Sequence, residues 1–200
     1  TTNAGVNWVI LSNGETTNLQ SVSFKDSNTG LIGGNGKIFR TSNGGLNWNI
    51  TYTNALLYEL HGIQFNNSNS AIVVGENGTI LRTSNNGLNW NTLFSSGNTL
   101  YSISFSDSLN GTAVGTGGRI RRTTDGGITW NDQTSGTLNQ FYSVKMLNYN
   151  AAIAVGELGI IMYTTNSGLT WFKQSSNTAN YLYSVSIPVY NTAYITGDFG

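Results

Sequence analysis

The chain has 200 residues, and charged side chains make up 9% of it, against about 25% in a typical soluble protein. Nine basic and nine acidic residues give a formal net charge of zero, which argues against the broad basic surface of a nucleic-acid-binding protein. Cysteine is absent, which excludes disulfides and thiolate metal sites, and no apolar run reaches the roughly eighteen residues that a membrane-spanning helix needs.

All five tryptophans fall in one recurring motif. The motif reads TTNAGVNW, TSNGGLNW, TSNNGLNW, TTDGGITW and TTNSGLTW, and it ends at Trp8, Trp48, Trp90, Trp130 and Trp171. A fixed period of about forty residues is the signature of a repeat architecture. We therefore expect five copies of one supersecondary unit.

Four short β segments recur in the same order within each period. The first reads LQSVSF (19–24), LHGIQF (60–65), LYSISF (100–105), FYSVKM (141–146) and LYSVSI (182–187). The second ends in a glycine pair: Gly33/Gly36, Gly75/Gly78, Gly115/Gly118, Gly156/Gly159 and Gly197/Gly200. The third leads into the tryptophan motif as KIFRT (37–41), TILRT (79–83), RIRRT (119–123) and IIMYT (160–164), and the tryptophan segment is the fourth.

Four strands in about forty residues indicate a blade of an all-β β-propeller, with four-stranded antiparallel blades. Helical repeats of similar length need apolar residues spaced by three and four, which this sequence lacks. In the first segment, Tyr101, Ile103 and Phe105 alternate with small serines, so large groups on one blade are expected to pack against small groups on the next.

We treat residues 1–200 as a single propeller domain or a propeller fragment. Four whole blades lie between two partial pieces at the ends of the chain. These pieces either combine into a fifth, split blade or continue into further blades, and the second alternative is favoured because natural termini rarely divide a strand.

The tryptophan motif resembles the Asp box, Ser/Thr-x-Asp-x-Gly-x-Thr-Trp, of sialidases and bacterial neuraminidase repeats. The longer pattern, Gly-x-x-Gly-x-Ile-x-Arg-Thr-x-x-Gly-Gly-x-x-Trp, is most similar to the propellers of the photosystem II stability and assembly factor family. The resemblance implies that the Asp side chain accepts backbone N–H groups, the Gly has positive φ, and the Trp packs between sheets. The Asp position is occupied here by Asn3, Asn43, Asn85, Asp125 and Asn166.

One end of the predicted blades is the best candidate for a binding site. The start of each inner strand presents an equivalent residue: Gln20, His61, Tyr101, Tyr142 and Tyr183. The turns between second and third strands at the same end carry Glu76, Glu157 and Asp198. Tyrosine offers apolar area with a polar tip, which suits a protein or sugar surface. The alternative is that these tyrosines simply continue the packed face of the first strand.

Three equivalent arginines, Arg40, Arg82 and Arg122, form a secondary candidate. The resemblance implies a role in anion or partner binding, because the assembly-factor family has arginine-rich surface patches. The alternative is structural, with each guanidinium capping turn carbonyls. His61 is the only histidine, and with Glu59 nearby it is more simply a structural or solvated residue than an acid–base or metal site.

No catalytic motif is evident. The arginine-isoleucine-proline segment of sialidases is absent, since the only proline is Pro188, and no phosphate loop or zinc-protease motif occurs. We therefore predict a non-catalytic protein-interaction or scaffold module of an exported or cell-surface protein or assembly, without cofactor or metal. The alternative is a glycan-binding propeller, or the propeller part of a sialidase-like glycosidase.

The expected partner is a protein or a further copy of the chain, a glycan is possible, and neither nucleic acid nor membrane insertion is expected. We expect an extracellular, cell-surface or periplasmic location, a setting that the low charge and the abundance of Asn, Ser, Thr and Tyr suit.

Overall fold

The computed structural model describes residues 1, 3–12, 14, 16–94, 96–189 and 192–199. In this part of the chain, eighteen strands form five antiparallel sheets in sequence order. The first sheet is β1 (Ser21–Phe24), β2 (Gly30–Gly34), β3 (Lys37–Thr41) and β4 (Asn49–Thr53). The second is β5 (Leu60–Phe65), β6 (Ala71–Gly75), β7 (Ile80–Thr83) and β8 (Asn91–Phe94).

The third sheet is β9 (Leu100–Phe105), β10 (Gly111–Gly115), β11 (Ile120–Thr123) and β12 (Asn131–Gln133). The fourth is β13 (Phe141–Met146), β14 (Ala152–Gly156), β15 (Ile161–Thr164) and β16 (Phe172–Gln174). The fifth has only β17 (Leu182–Val189) and β18 (Thr192–Gly197). No helix among these residues is long and apolar enough to cross a membrane.

The predicted four-stranded repeat is confirmed in four sheets. The first segments 60–65, 100–105 and 141–146 coincide with β5, β9 and β13, and the third segment 37–41 coincides with β3. Consecutive inner strands, β1, β5, β9, β13 and β17, pack side by side, as expected of blades arranged around an axis.

The described residues do not form the split blade, one of the two alternatives for the chain ends. None of them before Ser21 belongs to a strand or pairs with β17 or β18. β1 and β17 do not make the close contact that neighbouring inner strands make. The described residues therefore form four complete blades followed by a two-stranded sheet.

The predicted glycine pair of the first repeat is wrong by one residue. Gly34, not Gly33, is equivalent to Gly75. An added Cβ at Gly34 would meet the backbone just before the inner strand of its blade, and an added Cβ at Gly75 would do the same in the second blade. The Asn35–Gly36 turn is thus one residue shorter than 76–78, and both its residues have positive φ, as its sequence predicts. Gly200, in the last predicted pair, lies outside the described residues.

Apolar clusters fill the space between successive blades. Leu31 and Ile38 of the first blade pack with Leu60 of the second, and similar clusters join each later pair of sheets. Trp90, Trp130 and Trp171 each pack in the cluster between their own blade and the preceding one. Trp8 does not share this environment and is 78% exposed.

The Asp-box turns have the hydrogen bonds that the resemblance implies, with Asn replacing Asp. The Asn43 Oδ1 accepts a hydrogen bond from the Asn47 N–H, and the Thr41 hydroxyl oxygen accepts one from the Gly45 N–H. The same bonds recur in the other four motifs, including that of Asp125. These side chains are occupied in holding the turn.

Serine hydroxyls join consecutive inner strands. We call these contacts serine bridges: the hydroxyl oxygens of Ser21, Ser23, Ser102, Ser104 and Ser143 accept hydrogen bonds from the backbone N–H groups of Ile63, Phe65, Val144, Met146 and Val185. The distances are 3.0–3.2 Å. Between the second and third blades, the Gln64 side chain takes this role toward the Phe105 N–H. The small faces of β1, β9 and β13 thus supply hydrogen-bond acceptors as well as a packing surface.

Replacing Trp130 with alanine should lower the free energy of unfolding by about 3–5 kcal/mol, because it removes a buried indole from the cluster between two blades. Replacing the exposed Trp8 should change it by less than about 0.5 kcal/mol. Urea unfolding of both variants provides the comparison, and equal effects would contradict the inter-blade position of Trp130.

Replacing the buried Ser104 with alanine should cost about 1–3 kcal/mol, because the Met146 N–H loses its acceptor without access to water. Ser186 occupies the equivalent position in β17 and is exposed, so Ser186→Ala is a matched control with little expected effect. A similar loss of unfolding free energy in both variants would show that the hydroxyl does not act through the bridge.

Candidate functional site

The second residue of the inner strand lies at a β-bulge in four of the sheets. In β9, Leu100 is opposite Gly115 and Ser102 is opposite Val114, so Tyr101 has no partner across the strand pair. The pairing omits His61, Tyr142 and Tyr183 in the same way. A bulge redirects the side chain of its extra residue, which is why bulges often adjoin functional sites.

A glycine on the neighbouring strand makes room for each bulge. Gly156 has an extended backbone with φ −177°, so its conformation does not require glycine. Glycine is required here for lack of space, because an added Cβ would overlap the carbonyl oxygen of Gln140. Gly75, Gly115 and Gly197 meet the chain of residues 59–60, 99–100 and 181–182 in the same way.

The bulge removes these aromatic residues from the inter-blade core. The prediction that Tyr101, Ile103 and Phe105 share one packed face is wrong for Tyr101. Leu100, and not Tyr101, packs in the core cluster with Ile103 and Phe105. His61, Tyr142 and Tyr183 are likewise outside the buried clusters that include their neighbours. The tyrosines do not simply continue the packed face of the strand.

The bulged residues form a continuous series of rings, which we call the aromatic ladder: His61, Tyr101, Tyr142, Tyr183 and the adjacent Tyr181. Ring centroids are 5.1 Å apart from His61 to Tyr101, 5.7 Å from Tyr101 to Tyr142, and 5.4 Å from Tyr142 to Tyr183. Tyr181 lies 6.1 Å from Tyr142 and 6.4 Å from Tyr183. The structure thus brings four of the five predicted aromatic or polar positions together across four sheets.

Gln20, the fifth predicted position, is not part of the ladder. It immediately precedes β1 and is exposed, and its described contact is a backbone hydrogen bond from its N–H to the Gly33 carbonyl. Because a glutamine has no ring, the ladder ends at His61 on this side.

The predicted acidic residues lie beside the ladder. Two of them, Glu76 and Glu157, also form hydrogen bonds with the residue that precedes an inner strand. The Glu157 N–H donates to the Gln140 carbonyl, and the Gln140 N–H donates to the Glu157 carboxylate at 3.1 Å. Glu76 makes the same pair of bonds with Glu59, and we call each such pair of bonds a bracket. Each bracket fixes the residue that precedes an inner strand, and so fixes the bulge that follows.

The tyrosine hydroxyls contact these carboxylates and amides. The Tyr181 hydroxyl donates to Glu157 Oε1 and the Tyr183 hydroxyl to Asp198 Oδ2, both at 3.4 Å. The Tyr101 hydroxyl lies 3.4 Å from the Gln140 side-chain oxygen. In the third blade Thr116 replaces the acid, and its N–H donates to the Thr99 carbonyl.

Burial and negative charge set the protonation states of the ladder. Burial raises the pKa of Tyr142, and Glu157 raises it further. Burial raises the pKa of Tyr101 as well, with Glu76 and Glu157 adding to the effect. Burial lowers the pKa of His61, against the opposing influence of Glu76 and Glu59, so its imidazole is neutral at pH 7. These three rings are therefore uncharged near neutral pH.

The predicted arginines lie at the opposite end of the blades and contact the next repeat. Arg40 Nε donates to the Asn86 carbonyl at 2.7 Å, and Arg82 Nε donates to the Gly126 carbonyl at 3.0 Å. Arg122 is buried and reaches the Tyr149 carbonyl in the fourth blade. These bonds connect adjacent blades at their turns, while any role of the arginines in binding stays a prediction.

A pocket of about 510 Å³ lies on the third blade, but it does not include the ladder. Its lining is formed by the 117–119 turn and residues 132–138, and Arg119 and Asp132 form an ion pair across it at 3.4 Å. The ladder is an open surface rather than a cavity, so volume alone does not locate it.

Comparisons with known proteins identify the family. The family model described as photosynthesis system II assembly factor YCF48 matches residues 1–98 and 94–180. The chain belongs to this family. A search of curated protein sequences found no match.

Two YCF48 structures share the fold of this chain. YCF48 from Cyanidioschyzon merolae is 16% identical, with a TM-score of 0.74 over 98% of this chain and 72% of that chain. YCF48 bound to D1 peptide is 14% identical, with a TM-score of 0.53 over 92% and 91%. The GH74 xyloglucanase from Xanthomonas campestris is 11% identical, with a TM-score of 0.71, and the match covers 86% of this chain but only 34% of the enzyme. At these identities the structures establish a common propeller fold.

The sequence does not predict the position of Tyr181 in the ladder, nor the two brackets. Tyr181 lies one residue before the recurring segment 182–187. The four preceding repeats have residues that are not aromatic at this position: Asn18, Glu59, Thr99 and Gln140. No repeated ring therefore marks the position, although the structure places Tyr181 beside Tyr183. The signal available for the bulge is a pair of adjacent large residues, as in Leu100–Tyr101, which breaks the alternation.

We expect the phenol of Tyr142 to titrate above its ordinary pKa, and Glu157→Gln to shift that pKa downward. Burial keeps part of the increase in the variant, while the amide oxygen still accepts the Gln140 N–H. NMR titration with ¹³C-labelled tyrosine rings measures the effect. Asp107→Asn, which removes a carboxylate at the opposite end of the third blade, is the control. An unchanged Tyr142 titration in Glu157→Gln would contradict the described electrostatic contact.

Proposed function

We propose that this chain is a non-catalytic protein-interaction module that binds a segment of a partner polypeptide on the aromatic ladder. The observation that carries the proposal is the series of bulged rings from four sheets, held outside the core at one end of the propeller. Rigid aromatic side chains supply large contact areas at low entropic cost.

Family membership supports a polypeptide as the ligand. One solved relative is YCF48 bound to D1 peptide, so at least one protein of this family binds a peptide. The ladder residues support a polypeptide segment as the class of ligand.

The positions of the carboxylates support a non-catalytic role. Glu76 and Glu157 accept backbone N–H groups in the brackets, which is a structural use of the groups that a glycosidase would need free. The GH74 enzymes share the fold, but a shared fold does not determine an activity.

A glycan is the second candidate ligand, because a row of tyrosines also suits stacking against sugar rings. The fold shared with GH74 enzymes motivates including it. We also propose an exported or cell-surface location, which the low content of charged residues and the abundance of neutral polar residues support.

Selection of a phage-displayed library of random linear peptides on the folded chain tests the proposal. Peptides that bind the ladder should lose about thirtyfold in affinity for Tyr142→Ala, corresponding to about 2 kcal/mol at a central aromatic contact. Tyr149→Ala, which truncates an exposed tyrosine at the opposite end of the blades, is the matched control and should leave affinity unchanged.

Circular dichroism and thermal unfolding verify that both variants are folded. Binding that is equally strong in Tyr142→Ala and the native chain would reject the ladder as the contact surface. Binding on a glycan array, lost in Tyr142→Ala and accompanied by no selected peptide, would favour the second candidate instead.

A further inference from the structure

The ladder is densest at the boundary between the fourth and fifth sheets. Tyr142, Tyr181 and Tyr183, which we call the tyrosine triad, have ring centroids 5.4, 6.1 and 6.4 Å apart. Tyr181 and Tyr183 meet edge to face at 79°, and Tyr142 is tilted by 40–45° to both. Tyr183 is 48% exposed, so the triad opens to solvent.

Two carboxylates flank the triad. Glu157 Oε1 contacts the Tyr181 hydroxyl and Asp198 Oδ2 contacts the Tyr183 hydroxyl. The Glu157 Oε2 is engaged with the Gln140 N–H, which holds this side chain against the rings. The triad therefore combines several π faces with two fixed negative charges.

The charged groups that act on the ladder residues are carboxylates. Glu59 and Glu76 face His61, Glu76 and Glu157 face Tyr101, and Asp198 lies at Tyr183. Four of the nine acidic residues in the chain are thus at this surface. Arg119, on the same side of the third blade, is paired with Asp132, and Lys37 lies on β3 of the first blade and also has an interaction partner.

The faces of aromatic rings are electronegative and attract cations, most strongly where neighbouring groups exclude water. Fixed carboxylates add to this attraction and repel anions. A neutral apolar side chain would bury apolar surface against the rings but would have no electrostatic attraction to Glu157 and Asp198.

We propose that the tyrosine triad, flanked by Glu157 and Asp198, binds a cationic side chain, lysine or arginine, of the partner polypeptide. This proposal rests on the proposed function, because it specifies the chemistry of the partner at the same surface. The cation lies on the exposed side of the triad, where it contacts the ring faces and forms ion pairs with both carboxylates. A basic residue in an extended segment is thus the feature that the partner needs.

Titration of the folded chain with single-residue probes tests the charge preference directly. The probes are N-acetyl-arginine amide, its uncharged isostere N-acetyl-citrulline amide, and the anionic N-acetyl-glutamate amide. Ring signals of Tyr142, Tyr181 and Tyr183 in ¹³C-labelled protein report binding. We expect the arginine probe to bind about fivefold more tightly than citrulline, with no shift for glutamate.

The double variant Glu157→Gln, Asp198→Asn should abolish the preference for arginine over citrulline, because it removes the negative charges but keeps the rings. Asp107→Asn is the control that removes a carboxylate away from the triad, and it should retain the preference. Tyr183→Leu, at an exposed position, provides a second variant in which weaker binding of the arginine probe is expected without loss of folding.

Equal binding of arginine and citrulline, or stronger binding of glutamate, would overturn the proposal. Preference for arginine that persists in the double variant would also overturn it, since the cation would then bind elsewhere. If selected peptides bind the ladder but show no excess of basic residues, the charge preference fails and the proposed function stands. If the arginine probe binds the triad but no peptide does, the proposed function fails instead.

Discussion

The structure depends on hydrogen bonds from the backbone of one inner strand to side-chain oxygens of the preceding one. The acceptors are serine hydroxyls, except between the second and third blades, where the Gln64 side chain is the acceptor. Inner strands of successive blades are not hydrogen-bonded to each other through their backbones. Alternate N–H groups of an inner strand therefore point away from the backbone hydrogen bonds of its own sheet. Ser102 and Ser104 accept two such groups from β13, which sets the register between blades without a shared sheet. Apolar clusters account for most of the buried surface between blades. Apolar packing alone does not fix the alignment of one inner strand against the next to within one residue.

The aromatic ladder follows from this register together with one close contact. The glycine that ends each second strand, such as Gly156, allows the chain before the inner strand to cross it, and the bulge then turns the next side chain out of the core. Brackets from Glu76 and Glu157 hold that crossing in place. A residue at the ladder is therefore positioned by its own strand, the neighbouring glycine and the preceding blade, which is how side chains from four sheets come into contact.

The sequence predicts the repeat and most of its strands because the period, the glycines and the tryptophan motif recur together. It predicts the end of the blades at which Tyr101, Tyr142 and Tyr183 meet, since strand order alone places their positions there. It does not predict the bulge, because simple alternation assigns Tyr101 to the packed face. Only the adjacency of Leu100 and Tyr101 signals that alternation fails.

Other features depend on contacts between repeats, which no single repeat contains. A small residue such as Ser104 indicates a packing requirement, and its role as a hydrogen-bond acceptor depends on where β13 lies. In the first repeat, the doublet Gly33–Gly34 leaves the alignment ambiguous until the chain at residues 18–19 is seen to cross Gly34. Strand counting allows a split blade, but counting does not establish that two distant segments pair.

Amide hydrogen exchange measured by NMR on the folded chain tests the role of the serine bridges most directly. The N–H groups of Val144, Met146 and Val185 should exchange slowly, although they point away from their own sheets. Val22 and Phe24 occupy the positions in β1 equivalent to Ile63 and Phe65, and no serine bridge to them exists among the described residues, so their N–H groups should exchange much faster. Equally rapid exchange at all of these positions would contradict the account, because the bridges would then not hold the inner strands together.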